Sequence, residues 1–306
     1  MNNAADEQER ELLEALTAWQ AQQDKHNLID SGVLRPAMHR QGLRQYLHEV
    51  WRYRDFIFRY ASGRAVLDTD EMYLGKIWNI LDPLLRISMY AVIFGLLLRT
   101  SRGIENFLGF LIIGVMFFSM LSKGLGAGSG LLERSKALIR TFTFPKASLV
   151  FTEGLRNALS SVIPGLVAIV AALYFQGFSG ITPAIASVVP LFILIHVFAT
   201  GLMFIVARIT TFVPDTKKVV FYVNRAWFYI SGVFYSVERY VSVPRMEAIM
   251  TANPGYRFLS AVRNVTLYSQ PLQVSEWIAL VAWSGGVFIG GFIFFWLAED
   301  RYAQVK

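Results

Sequence analysis

Three arginines stand inside long apolar stretches of this chain: Arg86, Arg156 and Arg225. A guanidinium keeps its charge at any physiological pH and presents five N–H donors in a planar fork, a good match for phosphate. At the centre of a lipid-facing helix each would cost on the order of 2.5–3.5 kcal/mol. Each lies about 6–9 residues from the basic end of its stretch, hence about 9–14 Å deep at the helical rise. Two readings follow. The side chains snorkel to the headgroup layer, or they form a set of positive charges at one depth that receives an anionic headgroup from the cytoplasmic leaflet. Acid–base groups are sparse in the same stretches. Asp82, Glu153, His196 and Glu276 are isolated or near ends, and Glu153 stands one turn before Arg156, close enough to pair with it. A membrane-embedded glycosyltransferase or polymerase needs more than that, so no catalytic residue is assigned and that reading is kept only as an alternative. No metal site is expected. The absence of cysteine removes disulfides and thiolate chemistry.

The elements that must position these arginines are helices. The chain is 54% hydrophobic with a mean hydropathy of +0.42, and its apolar residues are gathered into long blocks that are apolar on every side. A soluble helix is apolar along one stripe only. The expected fold is therefore an all-α integral membrane protein, with six transmembrane helices over about 77–98, 106–122, 148–174, 184–207, 219–237 and 275–297, forming a transmembrane domain over 77–297. Counted against these spans, twenty lysines and arginines fall on the side of the N-terminus and six on the other. The excess places both termini in the cytoplasm. The first thirty residues are polar and carry no apolar core, so no cleaved signal peptide is expected.

Around the spans, residues 1–42 read as a cytoplasmic N-terminal extension and 298–306 as a cytoplasmic tail. Residues 43–63 interleave Arg44, Arg52, Arg54 and Arg59 with Trp51, Phe56, Phe58 and Tyr60, the composition of a helix lying in the headgroup layer. Asp68-Thr69-Asp70-Glu71 reads as acidic capping of the next helix. Residues 123–146 form a basic loop with Gly124, Gly126, Gly128 and Gly130, which suit close helix approach and do not match a phosphate-binding loop. A short charged helix follows from Leu131, with Glu133, Arg134 and Lys136. The fifth span is rich in aromatics, with Tyr222 and Tyr229 on one face and Phe221, Phe228 and Tyr235 on another. Such faces can stack on sugar rings. The last external loop holds two short elements around Asn253-Pro254-Gly255. Gly286 and Gly290 sit at helix-packing spacing.

Taken together, LGKIWNILDPLLRISMYAVIFGLLL from Leu74, LLERSKALIRTFTFPK from Leu131 and ANPGYRFLSAVRN from Ala252 resemble the permease subunits of ATP-binding-cassette exporters of lipid-linked polysaccharides, the O-antigen, teichoic acid and actinobacterial galactan exporters. The overall resemblance leans to galactan. The pair of Arg and Asp usual in that family's fourth loop is separated here, as Arg208 and Asp215. The resemblance implies a homodimer of six-span subunits in a bacterial cytoplasmic membrane, with two nucleotide-binding ATPase subunits that carry the ATP and Mg. This chain itself would bind no cofactor and no nucleic acid. It implies a gate helix over 43–63, and coupling to the ATPase through Leu131, Glu133, Arg134, Lys136 and Arg140. Re-entrant pieces with Asn253, Pro254 and Tyr256 would form the external gate. The pyrophosphate headgroup would dock at Arg86, Arg225, Arg156, Arg54 and Arg59, and the glycan would pass Tyr90, Tyr222, Trp227, Tyr229 and Tyr235. An exporter of drugs or other small hydrophobic molecules is the nearest alternative.

Overall fold

A computed structural model describes residues 42–67, 77–97, 104, 106–142, 144–178, 181–235 and 244–304. The N-terminal extension up to Gln41, the acidic stretch Asp68–Glu71 and Leu74–Lys76 lie outside the described residues. Among the described residues there is no strand, and four helical stretches are long and apolar enough to cross a membrane: Phe107–Gly128, Ala147–Phe175, Pro183–Phe212 and Val274–Trp296. The chain is all-α and reads as a multi-pass membrane protein.

In chain order the helices are α1 (Leu43–Arg52), α2 (Arg54–Leu67) and α3 (Trp78–Tyr90), the last running on as a π-helical turn over Ala91–Leu97. Then come α4 (Phe107–Gly128), the short α5 (Leu131–Arg134) and α6 (Lys136–Thr141), α7 (Ala147–Phe175), α8 (Val188–Phe212) and α9 (Thr216–Ile230). The chain closes with α10 (Pro244–Ala252), α11 (Pro254–Thr266), α12 (Val274–Trp296) and a 3-10 turn over Glu299–Gln304. The gate helix expected over 43–63 is two helices broken at Tyr53, and it continues past Gly63 to Leu67.

Helix α4 is the centre of the bundle. It is apolar all round, and most of its side chains are buried between α7, α8 and neighbouring elements. It runs on to Gly128, so Gly124, Gly126 and Gly128 belong to a helix and not to a loop. A methyl group at Gly124 would collide with the Ala199 carbonyl, and one at Gly128 with that of Met203. These two glycines let α4 and α8 touch backbone to backbone, as small residues do in membrane bundles. Gly286 and Gly290 face open space; the close crossing of α12 on α8 is made instead by Gly291 against Gly201. A side chain at Gly201 would meet the Phe288 backbone, which cannot swing aside. Gly201→Val should therefore cost about 1–3 kcal/mol or more of bundle stability, whereas Gly286→Ala should be tolerated. Thermal unfolding of the two variants in the same detergent checks this, and equal midpoints would refute it.

Phe204 knots the half of the bundle that holds α1 and the end of α12. It meets Phe151, Phe292 and Phe295 edge to face at 5.3, 5.4 and 5.3 Å between ring centres. The other half is filled by Phe110, Phe117, Phe198 and Phe258.

The span expected over 219–237 is helical only to Ile230. At 15 residues α9 rises about 22 Å, short of a hydrocarbon core of about 30 Å. Its end is fixed by side chains that take over the free carbonyls. Asn253 Nδ2 donates to Ile230 O at 3.2 Å, and Arg263 donates to Gly232 O and Val233 O. Gly232 adopts a left-handed turn with φ of 67° that a helix cannot continue through.

Candidate functional site

Where α4 ends, the chain turns at Gly130, whose φ is 72° and whose N–H donates to Thr210 Oγ1 on α8 at 3.1 Å. The turn leads into α5 and α6. Leu131 and Leu132 are buried against the bundle, and Glu133 is ion-paired to Lys217 at the start of α9. That lysine, through its hydrogen bond first, holds the Glu133 carboxyl below its ordinary value. The single short helix expected over 131–140 is broken at Ser135. At the break Arg134 turns back and donates to Ser129 O at 2.7 Å and Ala127 O at 2.8 Å, neutralising the carbonyl end of α4. Arg140, Thr141 and Phe142 are left on the surface, with Lys136 partly covered. The result is a pair of short helices clamped to α4, α8 and α9 on one side and open on the other.

Above this pair lies a cavity of about 790 Å³, walled by Tyr60 of α2, Lys123 and Ala127 of α4, Arg134 and Leu138 below, and Glu153, Arg156 and Asn157 of α7. Arg156 is closed on Glu153. Lys123 Nζ donates to Ser161 Oγ at 2.9 Å. The cavity is basic on balance, holding three cations and one carboxylate.

Of the arginines expected to meet a headgroup, only Arg156 lines this cavity. Arg86 forms an ion pair with Asp82 at 2.9 Å, both side chains more than half exposed. Arg225 is exposed on α9. Arg54 lies over the Trp51 ring at 5.4 Å, and Arg59 is exposed on α2. Lys123, read from sequence as a loop residue, belongs to the site.

The aromatic residues divide. Tyr222 and Tyr229 are 69% and 51% exposed on one face of α9, with Arg225 between them in the helical register. Trp227 faces inward: it packs on Phe118 at 5.1 Å and donates its indole N–H to Asn253 Oδ1 at 2.8 Å. Tyr235 lies beyond the helix end and donates to Tyr229 O at 3.0 Å. Tyr90 is half-buried beside Phe94. Two further polar groups of the spans have partners close by. Glu276 caps the start of α12, and His196 Nδ1 lies 2.8 Å from Phe192 O with its ring against Phe192.

Two further anchors, built around Arg263 and Glu299, lie outside the residues expected to act, and the first adjoins the expected gate residues Asn253, Pro254 and Tyr256. On the far side, Asn253 caps α11 by accepting from Gly255 N at 2.9 Å, with Pro254 in the first turn and Tyr256 lying against Gly232. Ten residues further on, Arg263 is buried among carbonyls. Near the termini, Glu299 accepts from Tyr46 Oη at 2.7 Å and from Lys146 N at 2.8 Å, with the Lys146 ammonium at 3.6 Å. Tyr46 in turn accepts from Ala147 N at 3.1 Å. This network fastens α1 to the start of α7 and the end of α12.

Burial pushes the Glu299 carboxyl above its ordinary value of 4.5, against the opposing pull of Lys146 and Tyr46. A carboxyl raised on folding contributes most below its unfolded value, and that contribution is lost as pH rises through the folded value. Attachment of α1 should therefore loosen as pH climbs upward from about 4.5, and Glu299→Gln should flatten that dependence. Proteolysis at Arg52 and Arg54 across pH reads it; the same slope in both proteins would refute it.

No family model matches the chain. Over 210 residues it is 22% identical to the O-antigen export system permease protein RfbA of Myxococcus xanthus, covering 68% of this chain and 78% of that protein.

Proposed function

We propose that the chain is the transmembrane permease subunit of an ATP-driven exporter, moving a polyprenyl-pyrophosphate-linked cell-envelope polysaccharide from the cytoplasm to the outer face of a bacterial cytoplasmic membrane. It acts as a homodimer with two ATPase subunits that carry ATP and Mg, crosses the membrane six times, and keeps both termini inside. The observation that carries the reading is the helix pair Leu131–Thr141, seated on the bundle by Leu131, Leu132, Gly130 and Glu133 and open on its outer side. A rigid, charged protrusion of that kind transmits a push from a soluble partner to α4, α8 and α9 together. The similarity to an O-antigen export permease supports the same class of cargo. The two crossings beyond the four long helices are α3 with its π turn, and α9 completed by the turn through Gly232 that follows it. Each carries a charged residue on an exposed face, which suits the wall of a polar conduit better than a lipid contact.

The test is co-purification with the products of the neighbouring open reading frames, followed by ATPase assay. An ATPase subunit at equal stoichiometry, with hydrolysis stimulated by lipid-linked glycan, is the expected result. A chain that purifies with no ATPase removes the coupling role and brings the membrane-enzyme alternative forward. Stimulation by apolar drugs in place of glycan supports the small-molecule exporter.

A further inference from the structure

The three cations of the cavity are not equivalent. Arg134 is spent on the carbonyl end of α4, and Arg156 is closed on Glu153. Among the described residues Lys123 has only the Ser161 hydroxyl as a hydrogen-bond partner, and no carboxylate is in ion-pair contact with it. An ammonium drawn out of bulk water into such a wall is costly unless an anion joins it. Asn157 in the same wall is 7% exposed, and its amide nitrogen has no hydrogen-bond acceptor. The cavity volume is within the range of small-ligand sites, about 300–1,000 Å³. It exceeds what a bare diphosphate fills, leaving room for a first sugar against Tyr60.

We propose that Lys123 and Arg156 hold a phosphate-bearing anion in the cavity between α2, α4, α6 and α7, with Lys123 as the cation that the ligand completes. The proposal rests on the exporter reading for its choice of a diphosphate attached to a lipid. The chemistry it needs, a compact polyanion against an ammonium and a guanidinium, is shared by free pyrophosphate. Arg134 orders the floor of the cavity by capping α4 and is not itself assigned to the ligand.

The test uses the full chain with its ATPase partner in detergent, probed by calorimetry with farnesyl pyrophosphate, inorganic pyrophosphate and farnesol. Farnesyl pyrophosphate should bind and farnesol should not. Lys123→Gln should weaken binding about tenfold or more, the scale of a charged hydrogen bond, and Lys123→Arg should retain most of it. Binding of farnesyl pyrophosphate alone supports the site with a lipid-borne ligand; equal binding of both pyrophosphates supports it with a soluble anion. Absence of binding by either, or equal binding by wild type and Lys123→Gln, overturns it. Should Lys123→Gln fail to fold, Arg156→Gln gives the same reading. An ATPase that co-purifies with a chain showing no pyrophosphate binding leaves the exporter reading standing and the pocket refuted. Lys123-dependent binding with no ATPase partner does the reverse.

Discussion

Arg263→Met should unfold the segment 254–266 from the bundle and lower stability by about 3–5 kcal/mol, the scale for removing one partner from a buried charged network. The arginine is 2% exposed. Its Nε and Nη2 donate to Phe110 O at 3.2 and 3.1 Å, its Nη1 to Gly232 O at 2.9 Å, and its Nη2 also to Val233 O at 3.1 Å. The guanidinium lies over the Phe110 ring at 3.3 Å. One fork thus joins the first turn of α4, the turn after α9 and α11. Methionine matches the stem and takes the Arg263 donors from the Gly232 and Val233 carbonyls, leaving Phe110 O only its place in the helical ladder of α4. Lysine restores the charge but not the fork, so Arg263→Lys should recover only part of the loss. Limited proteolysis of 244–266 and the thermal midpoint in detergent measure both. Wild-type behaviour in the methionine variant would show that the carbonyls are satisfied without it.

The second large effect is functional. Replacing Arg86 and Arg225 together with glutamine should reduce export below about a tenth of wild type while leaving co-purification with the ATPase unchanged, a loss that needs little more than about 1.4 kcal/mol of lost interaction. On α3 the register puts Asp82, Arg86 and Tyr90 on one face; on α9 it puts Tyr222, Arg225 and Tyr229 on one face. Both faces are largely exposed, and each mixes one cation with aromatic or aliphatic neighbours such as Met89 and Val223. Against lipid those charges would be a cost that glutamine relieves; along a conduit for an anionic headgroup they are attractive charges that glutamine removes. Surface polymer measured beside pull-down of the ATPase separates the two, and normal export by the double variant would sink the conduit.

The contrast between what could and could not be read ahead has a physical basis. Long all-round apolar runs announce membrane helices, and α4, α7, α8 and α12 were legible because a helix that meets either lipid or packed side chains on every face keeps polar residues few. The end of α9 was not legible, because Gly232 alone does not distinguish a turn from a packing glycine, and the side chains that take up the freed carbonyls, Asn253 and Arg263, arrive from more than twenty residues away. Lys123 was hidden by a boundary placed a turn and a half early, since glycine reads as a loop residue in water but as a packing residue between membrane helices. Arg263 was counted with the external charges because an arginine in a short amphipathic helix normally faces water; its burial depends on three carbonyls with no sequence signature. The Glu299 network has the same character, since Tyr46 and Glu299 are 253 positions apart.

That last contact also sets a rule of parity. Tyr46 and Glu299 share a hydrogen bond, so the polypeptide leaves and returns to one and the same side of the bilayer. Between them it must traverse the membrane an even number of times. The four long helices obey this between Tyr46 and Glu299 but not between Tyr46 and Ala147, which also share a hydrogen bond with only α4 lying between them; α3 before Ala147 and α9 after it, added as a pair, satisfy both contacts, and either one alone would not. A reporter fused at the C-terminus consequently declares the side on which α1 lies, without any count of lysines and arginines.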